Sequence, residues 1–148
     1  MACAPPSTDV LALAEELRPA LLRASRQLRR EAQKAGASAL DAQLLNALRK
    51  SPGAGVAELA QGEQMTRPSM SSHVKRLEAA GWVARDEVVR SDGRRVGLRL
   101  TGLGEKALEA IRRRRNDWLA IRLAALNEEG RAALAAAAGP LRLLAGDR

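Results

Sequence analysis

Residues 56–101 read VAELAQGEQMTRPSMSSHVKRLEAAGWVARDEVVRSDGRRVGLRLT, and this stretch decides the fold. Val56, Leu59 and Ala60 form the apolar side of a short helix, and Gly62 opens a turn after it. Thr66 stands as the N-cap of the next helix, because a threonine hydroxyl can accept a bond from an unpaired N–H at a helix start. Pro68 falls in the first turn, where a missing N–H costs nothing. Met70, Val74 and Leu77 recur at steps of four and three, so they share one face. Gly81 ends that helix. Residues 82–90 and 96–101 read as two strands around Ser91-Asp92-Gly93-Arg94-Arg95, with Asp-Gly as the hairpin signal. A helix, a tight turn, a polar-faced helix and a basic hairpin, in that order, outline a winged helix-turn-helix, a device for laying one helix in a DNA groove.

The faces of this fourth helix away from its apolar stripe are polar or basic. Arg67, Ser69, Ser72, His73 and Arg76 are expected to meet base edges in the major groove, since Arg pairs with guanine and Ser bonds several bases. Thr66, Ser71 and Lys75 are expected on the phosphate backbone. At the hairpin tip, Arg94 and Arg95 can enter the minor groove, with Asp92 orienting Arg94. An ordinary solvated helix face and a solvated turn with a local ion pair are the plain alternatives. Charge favours the DNA reading. Residues 66–101 hold eight Lys/Arg against four Asp/Glu, half of the formal excess of +8, whereas residues 37–65 hold two against three.

Outward from this stretch, the chain is helical. Val10, Ala14, Leu17, Leu21, Ala24 and Leu28 alternate steps of four and three, the spacing of a helix that packs along another. Pro19 lies inside that pattern and predicts a kink or break. Gly36 closes the segment. Ser38 and Asp41 have the spacing of a capping box for a second helix, with Leu40, Leu44 and Leu48 facing inward, and Ser51-Pro52-Gly53 ends it. A long helix is expected from Gly104 to about Leu126. Asn127 then caps a last helix striped by Leu134, Ala138, Leu141 and Leu144. The first helix is long for so small a core, which favours a dimer seam through Val10, Leu17, Leu21, Leu134 and Leu141 over packing within one subunit. The expected architecture is mainly α with a small β-hairpin wing. Residues 1–8 form a frayed tail and residues 9–148 one domain, in which 9–36 and 104–146 dimerise and 38–101 form the winged helix-turn-helix.

Composition excludes several classes. The 148 residues suit one domain with a modest core. His73 is the only histidine and Cys3 the only cysteine, so a Ser–His–Asp site would have to borrow the recognition helix, and no zinc cluster or phosphate-cradling glycine loop exists. No enzyme activity, metal or cofactor is expected. With no apolar run of membrane length and no signal-peptide pattern in MACAPPSTD, the sequence reads as a soluble cytoplasmic protein.

Several short pieces together resemble the MarR/SlyA family of bacterial transcription regulators: Glu58-Leu59-Ala60, Leu77-Glu78 before Gly81, Val83-x-Arg85, Asp92-x-Arg94, and Leu100-Thr101-x-x-Gly104. The likeness spans nearly the whole chain. It departs at Trp82, where a leucine is usual, and in the shortness of the wing. The resemblance implies a homodimer held by the first and last two helices. It also implies a fourth helix in the major groove, Arg94 in the minor groove, and double-stranded DNA as partner.

The resemblance further implies a phenolic or carboxylate effector between the dimer helices and the DNA lobe, for which Arg23, Arg26 and Trp118 are the candidates; a solvated face is the alternative for both arginines. Cys3 offers little for redox sensing, because nothing in MACAPPSTD would lower its thiol pKa. The expected function is a sequence-specific, ligand-responsive repressor of an inverted repeat with half-sites about ten base pairs apart. A non-specific architectural DNA binder is the alternative.

Overall fold

The computed structural model describes residues 6–90 and 93–146, with the backbone alone at 87–90 and 93–95. Its elements run α1 (Thr8–Lys34), α2 (Ala39–Lys50), α3 (Val56–Gly62), α4 (Arg67–Ala79), β1 (Val83–Arg90), β2 (Gly93–Leu100), α5 (Gly102–Ala124) and α6 (Glu128–Leu144). Cys3 lies outside the described residues.

Helix α1 continues through Pro19 without the expected break. A proline removes one N–H bond, and the good helix formers on both sides, among them Leu17, Arg18, Ala20, Leu21 and Leu22, carry the helix past it. Thr8, expected in the tail, is its first residue.

Helix α2 is the centre of the lobe. Its capping box is present: Ser38 Oγ accepts from the Asp41 N–H at 3.1 Å, and Asp41 Oδ2 accepts from the Ser38 N–H at 2.7 Å. Leu44, Leu45 and Leu48 are fully buried, whereas Leu40 is only partly so. The helix is covered on more than one side, by α1, α5 and β2, which is why the adjacent pair Leu44-Leu45 is buried where a single stripe is expected. With them pack Met70, Val74 and Leu77 of α4, Val83 and Leu98 of the wing, and Leu108 and Ile111 of α5.

The turn between α3 and α4 does not use its glycine as expected. Gly62 is the last residue of α3, and Gln64 takes the left-handed conformation, with φ 53°. The N–H of Met65 bonds the Ala60 carbonyl at 2.8 Å and that of Gln64 bonds Gln61 at 3.2 Å, a Schellman closure with glutamine in the usual glycine place. At the end of α4 the same closure uses Gly81, φ 72°, with Trp82 N–H on Leu77 and Gly81 N–H on Glu78, both at 2.9 Å.

The wing is an antiparallel pair in register from Val83↔Leu100 to Arg90↔Gly93. Arg94 and Arg95, expected in a five-residue turn, instead belong to β2, opposite Val89 and Val88. Ser91 and Asp92, between the strands, lie outside the described residues, as do the side chains of Arg94 and Arg95, so the expected Asp92–Arg94 contact lies there too. The loop after α2 adds a bridge to the sheet: Gly53 N–H bonds the Leu98 carbonyl at 2.8 Å, and Leu98 N–H bonds that of Ala54 at 3.0 Å. Helix α5 starts at Gly102, two residues before the expected Gly104, and is capped by Thr101, whose hydroxyl accepts from the Gly104 N–H at 3.0 Å.

Candidate nucleic-acid interface

Helix α4 is fastened by one face. Met70, Val74 and Leu77 are buried to within about 1%, and with a step of roughly 100° per residue Ser72 falls opposite them. Ser69 and Arg76 flank it on one side and Lys75 on the other. Arg67, Ser69, Ser72, Lys75 and Arg76 are exposed, while Ser71 and His73 are half-buried on the shoulders of the stripe. The expected contacts of this helix therefore share one element, with Thr66 at its cap.

The start of α4 is arranged by hydroxyls. Thr66 Oγ1 accepts from the Ser69 N–H at 3.4 Å and donates to Ser69 Oγ at 2.9 Å. Ser72 Oγ donates back to the Pro68 carbonyl at 3.2 Å, which leaves its lone pairs to accept. Among the described residues no acidic side chain occupies the first turn of α4, so the unpaired N–H groups there face no competing carboxylate.

Two ion pairs tether α4. On its outer end Glu78 takes Arg85 of β1 in a two-point grip, 2.7 Å to Nε and 3.1 Å to Nη2. That gives a physical meaning to the Leu77-Glu78 and Val83-x-Arg85 pieces of the sequence: they lock helix to wing. On the inner side Arg76 grips Asp41 of α2, Nη1 to Oδ2 at 2.9 Å and Nη2 to Oδ1. Asp41 is fully buried. Burial opposes its ionisation, but the bonds from Arg76 and Ser38 outweigh that and hold its carboxyl below the usual range. Arg76 Nη2 also lies 3.2 Å from His73 Nδ1. Arg76, expected to read bases, thus has its planar fork already filled by a carboxylate. Asp41 is the residue that sequence reasoning left out of the site. Its capping-box position accounts for it locally, and nothing in the sequence marks a partner 35 residues on.

The arginines expected to bind an effector are not gathered. Arg23 and Arg26 are exposed on α1 and line no described cleft. Trp118 is half-buried with the Arg122 guanidinium stacked 4.0 Å from its ring centre. A different cleft, of about 600 Å³, opens between α1, α2 and α5, lined by Leu21, Leu28, Arg29, Gln43 and Arg115 among others. Arg115 donates from Nε to the Leu28 carbonyl at 3.2 Å, and burial draws its pKa below the ordinary value. Of the run Arg112 to Arg115, only Arg115 is turned inward.

A helix fixed by a buried stripe, presenting serines and basic groups beside a β-hairpin, defines a winged helix-turn-helix DNA-binding protein. The MarR family profile matches residues 35–95. An uncharacterized HTH-type transcriptional regulator of Mycobacterium bovis is 35% identical over 126 residues, covering 85% of this chain and 87% of that protein. A crystallised Pseudomonas aeruginosa protein assigned as a transcriptional regulator superposes with TM-score 0.79 at 32% identity, over 95% of this chain and 98% of the other. A variant of MepR from Staphylococcus aureus, crystallised with an oligodeoxyribonucleotide, shares the fold at TM-score 0.66 and 18% identity, over 92% and 98% of the two chains. The chain belongs to the MarR family of DNA-binding transcription regulators, which are not enzymes.

Proposed function

We propose that this protein is a homodimeric repressor that reads an inverted repeat and releases it on binding a small effector. The observation that carries the reading is α4 itself: its apolar stripe is consumed by the core, and Arg67, Ser69, Ser72 and Lys75 remain outward. Two such helices, one per subunit, would enter successive major grooves with half-sites about ten base pairs apart. Thr66, Ser71 and Lys75 would take phosphates, and Arg94 of the wing, with Arg95, the minor groove.

Dimerisation is supported by the apolar side chains that this subunit leaves uncovered. Val10, Leu17, Leu21 and Leu134 are exposed by 36–52%, α6 buries no residue, and Leu141 is half-buried. An apolar groove of about 430 Å³ runs along Val10, Leu13, Leu17 and Leu21 to Leu144. Contiguous apolar surface of this kind marks an interaction face. For an effector, the cleft holding Arg29 and Arg115 replaces Arg23, Arg26 and Trp118: a carboxylate could pair with either guanidinium against Leu21 and Leu28. A ligand preferring a subunit spacing unfit for DNA would then empty the operator.

The test is selection of bound genomic fragments at about 150 mM salt, where purely electrostatic binding is suppressed, with footprinting of the winners. An enriched inverted repeat supports the repressor reading. Binding without enrichment would make the protein an architectural DNA binder, with the wing as a backbone clamp.

A further inference from the structure

Asp41, Arg76 and His73 form a chain from the middle of the lobe to the DNA-facing helix. Asp41 is fully buried, on α2, with both carboxylate oxygens on the guanidinium of Arg76. The Arg76 Nη2 then lies 3.2 Å from Nδ1 of His73, one helical turn earlier on α4. A guanidinium only donates. His73 Nδ1 must therefore accept, and in a neutral ring the proton then sits on Nε2. No other described side chain or backbone group bonds that Nε2.

We propose that Asp41 and Arg76 are positioning residues that fix His73 as an Nε2–H donor, and that His73, not Arg76, is the specificity-determining residue on this shoulder of α4. The inference rests on α4 lying in the major groove. A single fixed N–H discriminates the base edge at the position it reaches: a purine N7, guanine O6 or thymine O4 there accepts it, whereas a cytosine edge presents only its amino donor. A freely switching imidazole would offer donor and acceptor alternately and would discriminate less. The chain also gives the fully buried Asp41 a second role beside its part in the α2 capping box.

The relay has two tests with separate failures. His73 is the only histidine, so nitrogen NMR of the DNA-free protein above pH 8 reports one ring. Wild type should show the Nε2–H tautomer alone, and Arg76→Ala a mixture. An Nδ1–H ring in wild type would overturn the relay whatever the DNA does. In binding selections, Asp41→Asn, Arg76→Ala and His73→Ala should each lose about tenfold discrimination, equivalent to 1.4 kcal/mol, at one and the same base pair. If Arg76→Ala erases preference at a base pair that His73→Ala leaves intact, Arg76 reads DNA itself and the assignment fails. Asp41→Asn is compared only if its circular dichroism matches wild type; the exposed Arg76→Ala carries the test otherwise. Loss of an enriched repeat in wild type itself would count against the groove placement of α4, and the NMR result would stand apart from it.

Discussion

Gly104 and Trp82 are in backbone contact: a Cβ placed on Gly104 would lie 2.0 Å from the Trp82 carbonyl oxygen and 3.0 Å from its carbonyl carbon. The same carbonyl accepts the Thr101 N–H at 3.1 Å, and Thr101 Oγ1 donates to the Gly81 carbonyl at 2.5 Å. The start of α5 is thus pressed against the chain that leaves the recognition helix. Replacing Gly104 by alanine forces two backbones apart and should destabilise the protein by about 2–3 kcal/mol. Gly102→Ala meets no atom within 4 Å and should stabilise slightly, by about 0.5 kcal/mol. Urea unfolding of both variants checks this; equal midpoints would show that the α5 start can slide.

Gln64 holds a left-handed conformation, φ 53°, that costs a side-chain-bearing residue about 1 kcal/mol. Gln64→Gly should therefore raise stability by about 0.5–1 kcal/mol. Gly62, helical and with nothing within 4 Å of an added Cβ, should gain a similar amount as alanine. The pair moves the glycine two places along the turn. A less stable double variant in thermal melts would mean that the turn depends on something other than backbone conformation.

The fold was legible because its signals are local. Steps of three and four placed Met70, Val74 and Leu77 on one buried face, and Ser38, Thr66 and Asn127 each carry the expected cap bond. What escaped the sequence depends on partners far along the chain. Asp41 has the sequence position of half a capping box, and only the folded lobe, which brings Arg76 of α4 within reach, shows its second partner. Arg115 is indistinguishable from Arg112, Arg113 and Arg114 in a basic run until the helix phase is set by the core. The Ala54–Leu98 bridge joins a loop to a strand 44 positions away, beyond the reach of any period. Pro19 does not break α1, since one missing N–H is a small defect in a helix of 27 residues.

The proposed dimer seam predicts a simple dissociation. Leu21 is 44% exposed in the single subunit and should be covered by its counterpart. Leu21→Glu would bury unpaired carboxylates at that seam, weakening association by about 3 kcal/mol, roughly a hundredfold. Analytical ultracentrifugation reads the shift from dimer to monomer; a variant that stays dimeric places the interface elsewhere.

The wing predicts a loss of affinity without a loss of fold. Arg94 is the second residue of β2, opposite Val89 and four positions beyond the end of β1. Arg94→Ala should weaken DNA binding about tenfold or more with an unchanged melting temperature. Undiminished affinity in a fluorescence titration would remove the wing from the interface.

Acid should unfasten the recognition helix through Asp41. Burial alone would raise this carboxyl's pKa, yet the bonds from Arg76 and Ser38 bring it below the ordinary value. A group with a depressed folded pKa takes its proton more readily in the unfolded chain. Its stabilisation is complete above the unfolded value of about 3.9 and is lost as pH falls from there through the folded value. Asp41→Asn cannot offer Arg76 two charged acceptors, so it should cost about 2 kcal/mol at pH 7. It should also unfold with a shallower dependence on pH below about 4, because one titrating group is gone. The two proteins should converge in stability as the wild-type carboxyl protonates. Urea midpoints measured from pH 7 down to pH 3 give both quantities. Parallel curves, with the gap preserved at low pH, would mean that Asp41 acts through shape and not through its charge.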